Sequence, residues 1–391
     1  MLISRRRLFP SAGFGLAAGA AAMQGSGAAA PGASSIDWSR QVFEDSVLDS
    51  STVVFDGKTP NRLACNTNLR KMPDGTLGMT MLGGGDSEPL PENNIFLTWS
   101  HDQGKTWSDL KPLLLGFKEK DRSRALVPPE LMVHQGRCWL FFYVHDGKFG
   151  EWSSWYSTSE DSGHTWSKAS PIPGELHRST AVRNHLITAK GAIMLPFQHY
   201  LAERRNVNPR NGVLTSSDGG KSFQQHGWIR VSDDDQYVGW TEPGLFEHSN
   251  GAITMLLRRD GSGVLYRADS PDGGKTWPTM ALPTAIPNPG SKFTVYPLGG
   301  ERVALLHNPH PKTRNPLSLW VSFDGMETWP YRRDLVRLPP PPAGSRVSGA
   351  FAGMSYPDGF VSEDRAYLHF AYDERRSRAI YYAAKLPPLP A

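Results

Sequence analysis

The segment Ser100-His-Asp102-Gln-Gly104-Lys-Thr-Trp107 decides the fold, because its pattern returns four more times along the 391-residue chain. Each copy has a serine, an aspartate two residues later, and an aromatic residue at the eighth position. The later copies begin at Ser159, Ser216, Ser270 and Ser322. Successive aspartates lie 52–59 residues apart. A repeat of this length predicts an array of similar structural units.

Each repeat is predicted to form a four-stranded antiparallel sheet. A glycine-containing turn, such as Pro73-Asp74-Gly75, precedes each copy of the octapeptide and separates two apolar stretches. Stretches such as Cys138–Val144 and Ala252–Leu257 are short and rich in β-branched or aromatic residues, as strands are. Within the octapeptide the aspartate is suited to accept backbone N–H bonds, and the aromatic ring to pack between sheets. The octapeptide itself is therefore predicted to have a structural role.

The predicted fold is an all-β, six-bladed propeller of four-stranded antiparallel blades. Five blades contain the octapeptide, and Ala366–Tyr372 and Ala379–Lys385 supply strands of a sixth. The stretch Ser51–Phe55 is expected to complete the last blade, which would close the ring and remove open sheet edges. We expect residues 34–391 to form this single domain.

Residues 1–33 are typical of an export signal. Three arginines within Ser4–Phe9 precede the apolar run Phe9–Met23, which is too short to span a bilayer. The arginines and the following Leu-Phe resemble the twin-arginine export motif, and an ordinary secretory signal is the alternative. The protein is expected to be exported, periplasmic or secreted, without a membrane anchor.

Charge and cysteine content exclude several functions. The net charge of +4 includes the three leader arginines, so the mature chain is nearly neutral and nucleic acid is not an expected partner. Cys65 and Cys138 allow at most one disulfide, and the sequence leaves their pairing open. Twelve histidines form no spaced metal-binding motif. No metal ion or other cofactor is expected.

Five such octapeptides in an exported six-bladed chain resemble the sialidase superfamily, here its bacterial BNR-repeat (Asp-box) branch. The resemblance covers nearly the whole mature chain. It implies a glycosidase whose substrate carries a carboxylate on the anomeric carbon, held by three arginines. A tyrosine assisted by a glutamate then attacks that carbon, and an aspartate on a loop protonates the leaving group.

Four positions match this catalytic pattern. Trp240-Thr-Glu242 and Leu257-Arg258 are similar to the segments that carry the family's glutamate and second arginine. Arg314, shortly before the fifth octapeptide, lies where the third arginine is expected. Tyr356, at the start of the last blade, resembles the nucleophile.

The first arginine and the acid are less well defined. The resemblance places the first arginine at Cys65, and Arg62, three residues earlier, is the nearest candidate, although that offset reverses the face of a strand. The glycine-rich loop 83–91 offers Asp86 and Glu88 as the acid, and the sequence does not separate them.

Further substrate contacts are expected from the third blade and from aromatic residues. Arg183, Asn184 and His185 resemble a basic-Asn-basic set found at this place in many BNR-repeat proteins. Trp152, Trp155 and Tyr237 are candidates for stacking on a sugar ring.

These features predict an exported, retaining exo-glycosidase that removes a terminal acidic sugar from a glycan, with sialic acid the leading substrate. Two alternatives come from other classes. One is a propeller that binds glycans without catalysis. The other is a polysaccharide lyase in which Arg258 and Arg314 neutralise a uronate while a tyrosine or histidine removes a proton.

Overall fold

The computed structural model describes residues 48–57, 61–201, 207–341 and 349–388, which form six small antiparallel sheets in a ring. The described residues contain no α-helix, and their 3-10 segments include Gly174–His177 and Gly349–Ala352. None of their helical segments has the length and hydrophobicity needed to cross a membrane. The prediction of an all-β, six-bladed propeller is confirmed. The predicted export signal, residues 1–33, lies outside the described residues.

The strands follow one another around the ring. Up to the third blade they are β1 (Ser50–Phe55), β2 (Ala64–Lys71), β3 (Leu77–Gly83), β4 (Asn94–Ser100), β5 (Lys111–Leu113), β6 (Ala125–His134), β7 (Arg137–His145), β8 (Trp152–Ser159), β9 (Ser170–Pro171), β10 (Thr180–Val182), β11 (Leu186–Ile187), β12 (Ile193–Tyr200), β13 (Pro209–Ser216) and β14 (Gln224–Ile229). The remaining strands are β15 (Gly244–Glu247), β16 (Ile253–Leu257), β17 (Val264–Ser270), β18 (Leu282–Pro287), β19 (Thr294–Gly299), β20 (Arg302–His307), β21 (Leu317–Ser322), β22 (Tyr331–Val336), β23 (Met354–Val361), β24 (Tyr367–Glu374) and β25 (Arg378–Lys385).

Each blade is a meander in which every strand pairs with the next one along the chain. Blades one to five use β2–β5, β6–β9, β10–β14, β15–β18 and β19–β22, and the inner strand of blade three is divided into β10 and β11. Blade six takes β23, β24 and β25 and adds β1 as its outer strand, with Thr52 opposite Tyr381. The N-terminal strand therefore closes the ring, as the sequence predicted.

The repeated octapeptide fastens neighbouring blades. In the second copy, Ser159 Oγ donates to Asp161 Oδ1 at 2.8 Å, and the Thr165 hydroxyl donates to Asp161 Oδ2 at 2.6 Å. The hydrogen bonds from Thr165 lower the pKa of Asp161 to about 2. The Trp166 ring packs against a buried cluster that contains Leu97 of blade one and Leu140 of blade two. The octapeptide is thus a structural wedge.

Four buried charged side chains tie the inner strands together. Arg70 of β2 pairs with Asp358 of β23 and, at 2.6 Å, with Glu130 of β6. Lys292, which precedes β19, places its Nζ 2.7 Å from the second oxygen of Asp358. The side chains of all four residues are at most 8% exposed. The charges of this axial cluster cancel, so blades one, two, five and six are held together by paired ions.

The meander also determines where a functional site can form. In an antiparallel meander, the start of the first strand, the end of the second and the start of the third lie at one end of the blade. The octapeptide follows the third strand and lies at the other end. Residues next to those three strand ends therefore gather on the face of the ring opposite the octapeptides.

The two cysteines do not pair. Cys65 lies on the inner strand of blade one and Cys138 on the second strand of blade two, and both are free and buried.

Candidate active site

Tyr356 lies at the centre of a group of buried arginines. It sits near the start of β23, inside a bulge between Ser355 and Asp358, with a φ of 53°. The guanidinium carbons of Arg183, Arg314 and Arg376 lie 5.7, 5.8 and 5.8 Å from the centre of its ring. Tyr356 itself is 9% exposed. The phenol is therefore surrounded by cations from blades three, five and six.

Glu242 and Arg258 form the fourth-blade side of this group. Glu242 precedes β15 and is fully buried, and its Oε2 accepts a hydrogen bond from Arg258 Nη1 at 2.7 Å. Its other oxygen, Oε1, accepts no hydrogen bond and lies 3.5 Å from Arg183 Nη2. The Gln198 side chain accepts a bond from the Glu242 N–H at 2.8 Å and so fixes the backbone.

The surrounding charges set the protonation states of the tyrosine and the glutamate. Burial alone would raise the pKa of Glu242, but Arg258 and Arg183 outweigh it and hold the pKa at about 2. Burial and the negative charge of Glu242 raise the pKa of Tyr356, while Arg258 and Arg314 oppose them. At neutral pH the site therefore pairs a neutral phenol with an ionised carboxylate.

Arg314 is a buried cation without an anionic partner among the described residues. It is 4% exposed, and its Nη1 and Nη2 donate to Ser355 Oγ and the Gly290 carbonyl, each at 3.0 Å. Its Nε makes no hydrogen bond. Burial and the nearby Arg258 lower its pKa. Since an uncompensated buried charge is strongly destabilising, this corner of the site is suited to receive an anion.

Arg376 also reaches Tyr356, although the sequence gave no sign of it. It lies in the hairpin turn between β24 and β25, and its Nη2 contacts Cys65 Sγ at 3.0 Å and the Glu88 carboxylate. Arg62, the candidate from blade one, is 49% exposed and lies 3.8 Å from Asp86. The structure does not bring Arg62 to Tyr356.

The two candidate acids of the loop occupy different surroundings. The Asp86 side chain is 69% exposed, whereas Glu88 is 11% exposed and pairs with Arg376. Asn93 shapes this loop, because its side-chain amide donates to the carbonyls of Gly84 at 2.7 Å and Ser87 at 3.0 Å. Glu88 is thus drawn into the site, and Asp86 faces solvent.

The three third-blade candidates point to different places. Arg183 faces Tyr356 and Glu242, as described above. The Asn184 backbone N–H donates to Glu130, and its side chain bonds the Pro243 carbonyl at 2.8 Å. His185 Nδ1 lies 2.8 Å from Glu130 Oε1. Only Arg183 of the three is beside the tyrosine, while Asn184 and His185 adjoin the axial cluster.

Of the aromatic candidates, Trp152 packs in the cluster that contains Tyr356. Its ring meets Tyr143 at a centroid distance of 4.8 Å. Trp155 packs instead on Phe117, and the Tyr237 ring stacks under Arg259.

Comparison with known proteins agrees with this fold. Residues 75–370 match the protein family described as the BNR repeat-like domain. This chain belongs to the sialidase superfamily, in its BNR-repeat branch. A sialidase of Bacteroides fragilis (strain YCH46) is 24% identical over 275 residues, which are 60% of this chain and 48% of that protein. The chain thus spans about half the length of this relative.

Solved structures of sialidases share the fold of this superfamily member. The Hadza microbial sialidase Hz136 is 18% identical with a TM-score of 0.68, covering 86% of this chain and 68% of its own. The NanB sialidase from Streptococcus pneumoniae is 13% identical with a TM-score of 0.62, covering 86% and 70%. The Trypanosoma rangeli sialidase is 12% identical with a TM-score of 0.62, covering 86% and 59%. At these identities the likeness concerns the fold.

Blade one is where this chain differs from the pattern expected of the sialidase superfamily. The resemblance led us to expect an arginine where the inner strand carries Cys65. The structure places a guanidinium against that thiol all the same, but it belongs to Arg376 of blade six.

Proposed function

We propose that this protein is a retaining exo-glycosidase that releases a terminal acidic sugar, above all sialic acid, from glycans. The observation that carries the proposal is Arg314, a buried guanidinium beside Tyr356 that forms no ion pair with a described carboxylate. A carboxylate on the sugar would supply the missing negative charge through charge-assisted hydrogen bonds. Sialidase relatives support a sialidase-type glycosidase over other uses of the propeller.

The negative charge of the sugar carboxylate also explains why the nucleophile is a tyrosine. A sugar carboxylate bound at Arg314 would repel an attacking carboxylate, whereas the neutral phenol of Tyr356 is not repelled. As the Tyr356 oxygen bonds to the anomeric carbon, its proton passes to Glu242 Oε1, the oxygen that accepts no hydrogen bond. The glycosidic carbon–oxygen bond breaks in the same step. Because Glu242 is a weak base, proton transfer accompanies bond formation and does not precede it.

We assign the role of general acid to Asp86. The Asp86 side chain is 69% exposed on its loop and can approach a leaving group at the mouth of the site, whereas Glu88 is 11% exposed. Asp86 protonates the departing oxygen and then takes a proton from the water that attacks the anomeric carbon. The bond to Tyr356 breaks, and the tyrosine recovers its proton from Glu242. Two displacements retain the configuration of the sugar.

Export is part of the proposal. The signal predicted for residues 1–33 would deliver the enzyme to glycans outside the cytoplasm. Fractionation of cells that express the full chain and a chain lacking these residues tests this, and equal distribution of the two would contradict it.

One incubation separates the three classes of function. The purified protein is mixed with sialosides, uronides and neutral glycosides, and products are identified by mass spectrometry and by NMR of the first-formed anomer. Release of the acidic sugar with retained configuration is expected. An unsaturated product would favour the lyase, and binding without products would favour a glycan-binding propeller.

Tyr356→Phe is the decisive variant. It should lower kcat by several orders of magnitude with KM nearly unchanged, because the nucleophile acts only in the transition state. Tyr367→Phe is the matched control, since Tyr367 lies on the neighbouring strand β24 and stacks on Lys385, away from the site. Full activity of Tyr356→Phe would refute the proposed mechanism.

A further inference from the structure

Arg376 is anchored to the scaffold but directed into the site. Its backbone N–H donates to Asp373 Oδ1 at 3.0 Å, and its guanidinium carbon lies 5.1 Å from the centre of the Phe351 ring. From the turn between β24 and β25, the side chain crosses to the inner strand of blade one and meets Cys65. The guanidinium is therefore held over Tyr356 from a fixed backbone position.

Cys65 provides space but no charge for this arginine. The thiol is completely buried, and burial raises its pKa well above the ordinary value, so it stays protonated and neutral. A small side chain at this position leaves room for the guanidinium of Arg376 beside it. The charge of Arg376 must be balanced by another group.

Glu88 is that group among the described residues. Its carboxylate pairs with Arg376 Nη2, and it comes from the loop between β3 and β4, not from a strand. The anionic partner thus belongs to a long loop, while the cation belongs to a tight hairpin turn. The guanidinium of this pair lies beside the same tyrosine that Arg314 contacts.

We propose that Arg376 is a further substrate-binding guanidinium and that Glu88 occupies its place in the empty site until the sugar carboxylate displaces it. This inference rests on the proposed function and explains how the same site balances the charge of Arg376. One carboxylate replaces another, so the ion pair at Arg376 is kept when substrate binds. Glu88 therefore competes with the ligand and lowers the affinity of the site for acidic sugars.

The test uses binding of an unsaturated sialic acid, 2-deoxy-2,3-didehydro-N-acetylneuraminic acid, and of its methyl ester, measured by calorimetry. Arg376→Gln should weaken binding of the acid about 10- to 100-fold, the range for one charge-assisted contact, and leave ester binding nearly unchanged. Glu88→Gln should have the opposite effect and tighten acid binding several-fold. In the double variant the gain from Glu88→Gln should vanish, because the two residues act through one contact.

Arg378→Gln is the matched control. Arg378 belongs to the same hairpin but is 44% exposed and pairs with Glu374, so acid binding should not change. Failure of the unmodified protein to prefer the acid over the ester would overturn the proposed function together with this inference. A normal preference that Arg376→Gln retains would overturn the inference alone. If Arg376→Gln fails to fold, Glu88→Gln still decides, since weaker or unchanged acid binding contradicts competition.

Discussion

Replacing Lys292 with methionine should destabilise the propeller far more than a similar change at its surface. Lys292 is 1% exposed and its partner Asp358 is fully buried, with the two charged groups 2.7 Å apart. Lys71 makes an ion pair of nearly the same length, 2.6 Å, with Glu363, but their side chains are 49% and 87% exposed. Both pairs join neighbouring blades, so Lys71→Met is a matched control.

The magnitude follows from the charge left behind. In Lys292→Met the axial cluster keeps Arg70, Glu130 and Asp358, and its net charge changes from zero to minus one. Leaving a buried charge without its partner costs about 3–5 kcal/mol. Arg70 still pairs with Asp358, so we expect the lower end, about 3 kcal/mol. The exposed pair at Lys71 should contribute far less, because solvent screens both charges.

Urea unfolding of both variants and the parent protein tests this expectation, with tryptophan fluorescence and far-UV circular dichroism recorded on the same samples. The difference in the free energy of unfolding between the two variants should be about 2 kcal/mol or more. Equal destabilisation by the two substitutions would refute the argument that the axial cluster holds the inner strands together.

Three further substitutions test other parts of the molecule. Arg314→Lys should raise KM and lower kcat together in steady-state kinetics, because lysine cannot form a two-pronged bond to a carboxylate; a change in only one parameter would contradict this. Trp166→Ala should lower the free energy of unfolding by about 3 kcal/mol, since the ring packs between two blades, and should leave ligand affinity of the folded protein unchanged. Lost affinity at full stability would show that the octapeptide contacts ligand. Burial raises the pKa of Asp373 from 3.8 to about 7, so the folded state binds its proton more tightly and stability should fall as pH rises from about 4 to 7. Asp373→Asn should reduce that fall in denaturation at several pH values, and parallel curves for the two proteins would contradict the assignment.

The fold was accessible from the sequence because its signals are local and repeated. Each octapeptide forms its own hydrogen bonds, so its presence reports a blade wherever it occurs. The same topology repeated in every blade also brings Glu242, Arg258, Arg314 and Tyr356 to one face. Their positions relative to the strand ends were visible in the sequence, and the antiparallel meander places those strand ends on one face of the ring.

The sequence did not reveal Arg376, because its position depends on closure of the ring. Arg376 contacts Cys65 across 311 positions of the chain, between the last blade and the first. Its neighbours Arg375 and Arg378 give the hairpin the composition of an ordinary surface turn. The different surroundings of Asp86 and Glu88 were equally hidden, since the loop takes its shape from the side-chain amide of Asn93.

Backbone strain provides an argument for function that is independent of the family. Asn66, Asn184, Glu242 and Tyr356 lie on or next to the inner strands of four blades, and all have positive φ, with values of 49°, 53°, 25° and 53°. Asparagine adopts such angles readily, whereas a bulky side chain does so at a cost.

The surrounding blades hold the two strained residues in place. Thr67 Oγ1 donates to the Tyr356 carbonyl at 3.0 Å, and Gln198 accepts the Glu242 N–H at 2.8 Å. Two of the four positions carry asparagine, which tolerates a positive φ, and the other two carry a tyrosine and a glutamate, which adopt it at a cost. Backbone strain of this kind concentrates at sites that use the side chain. Among these four positions, Tyr356 and Glu242 are the two that give up stability for a particular orientation, which is the expectation for a nucleophile and its base.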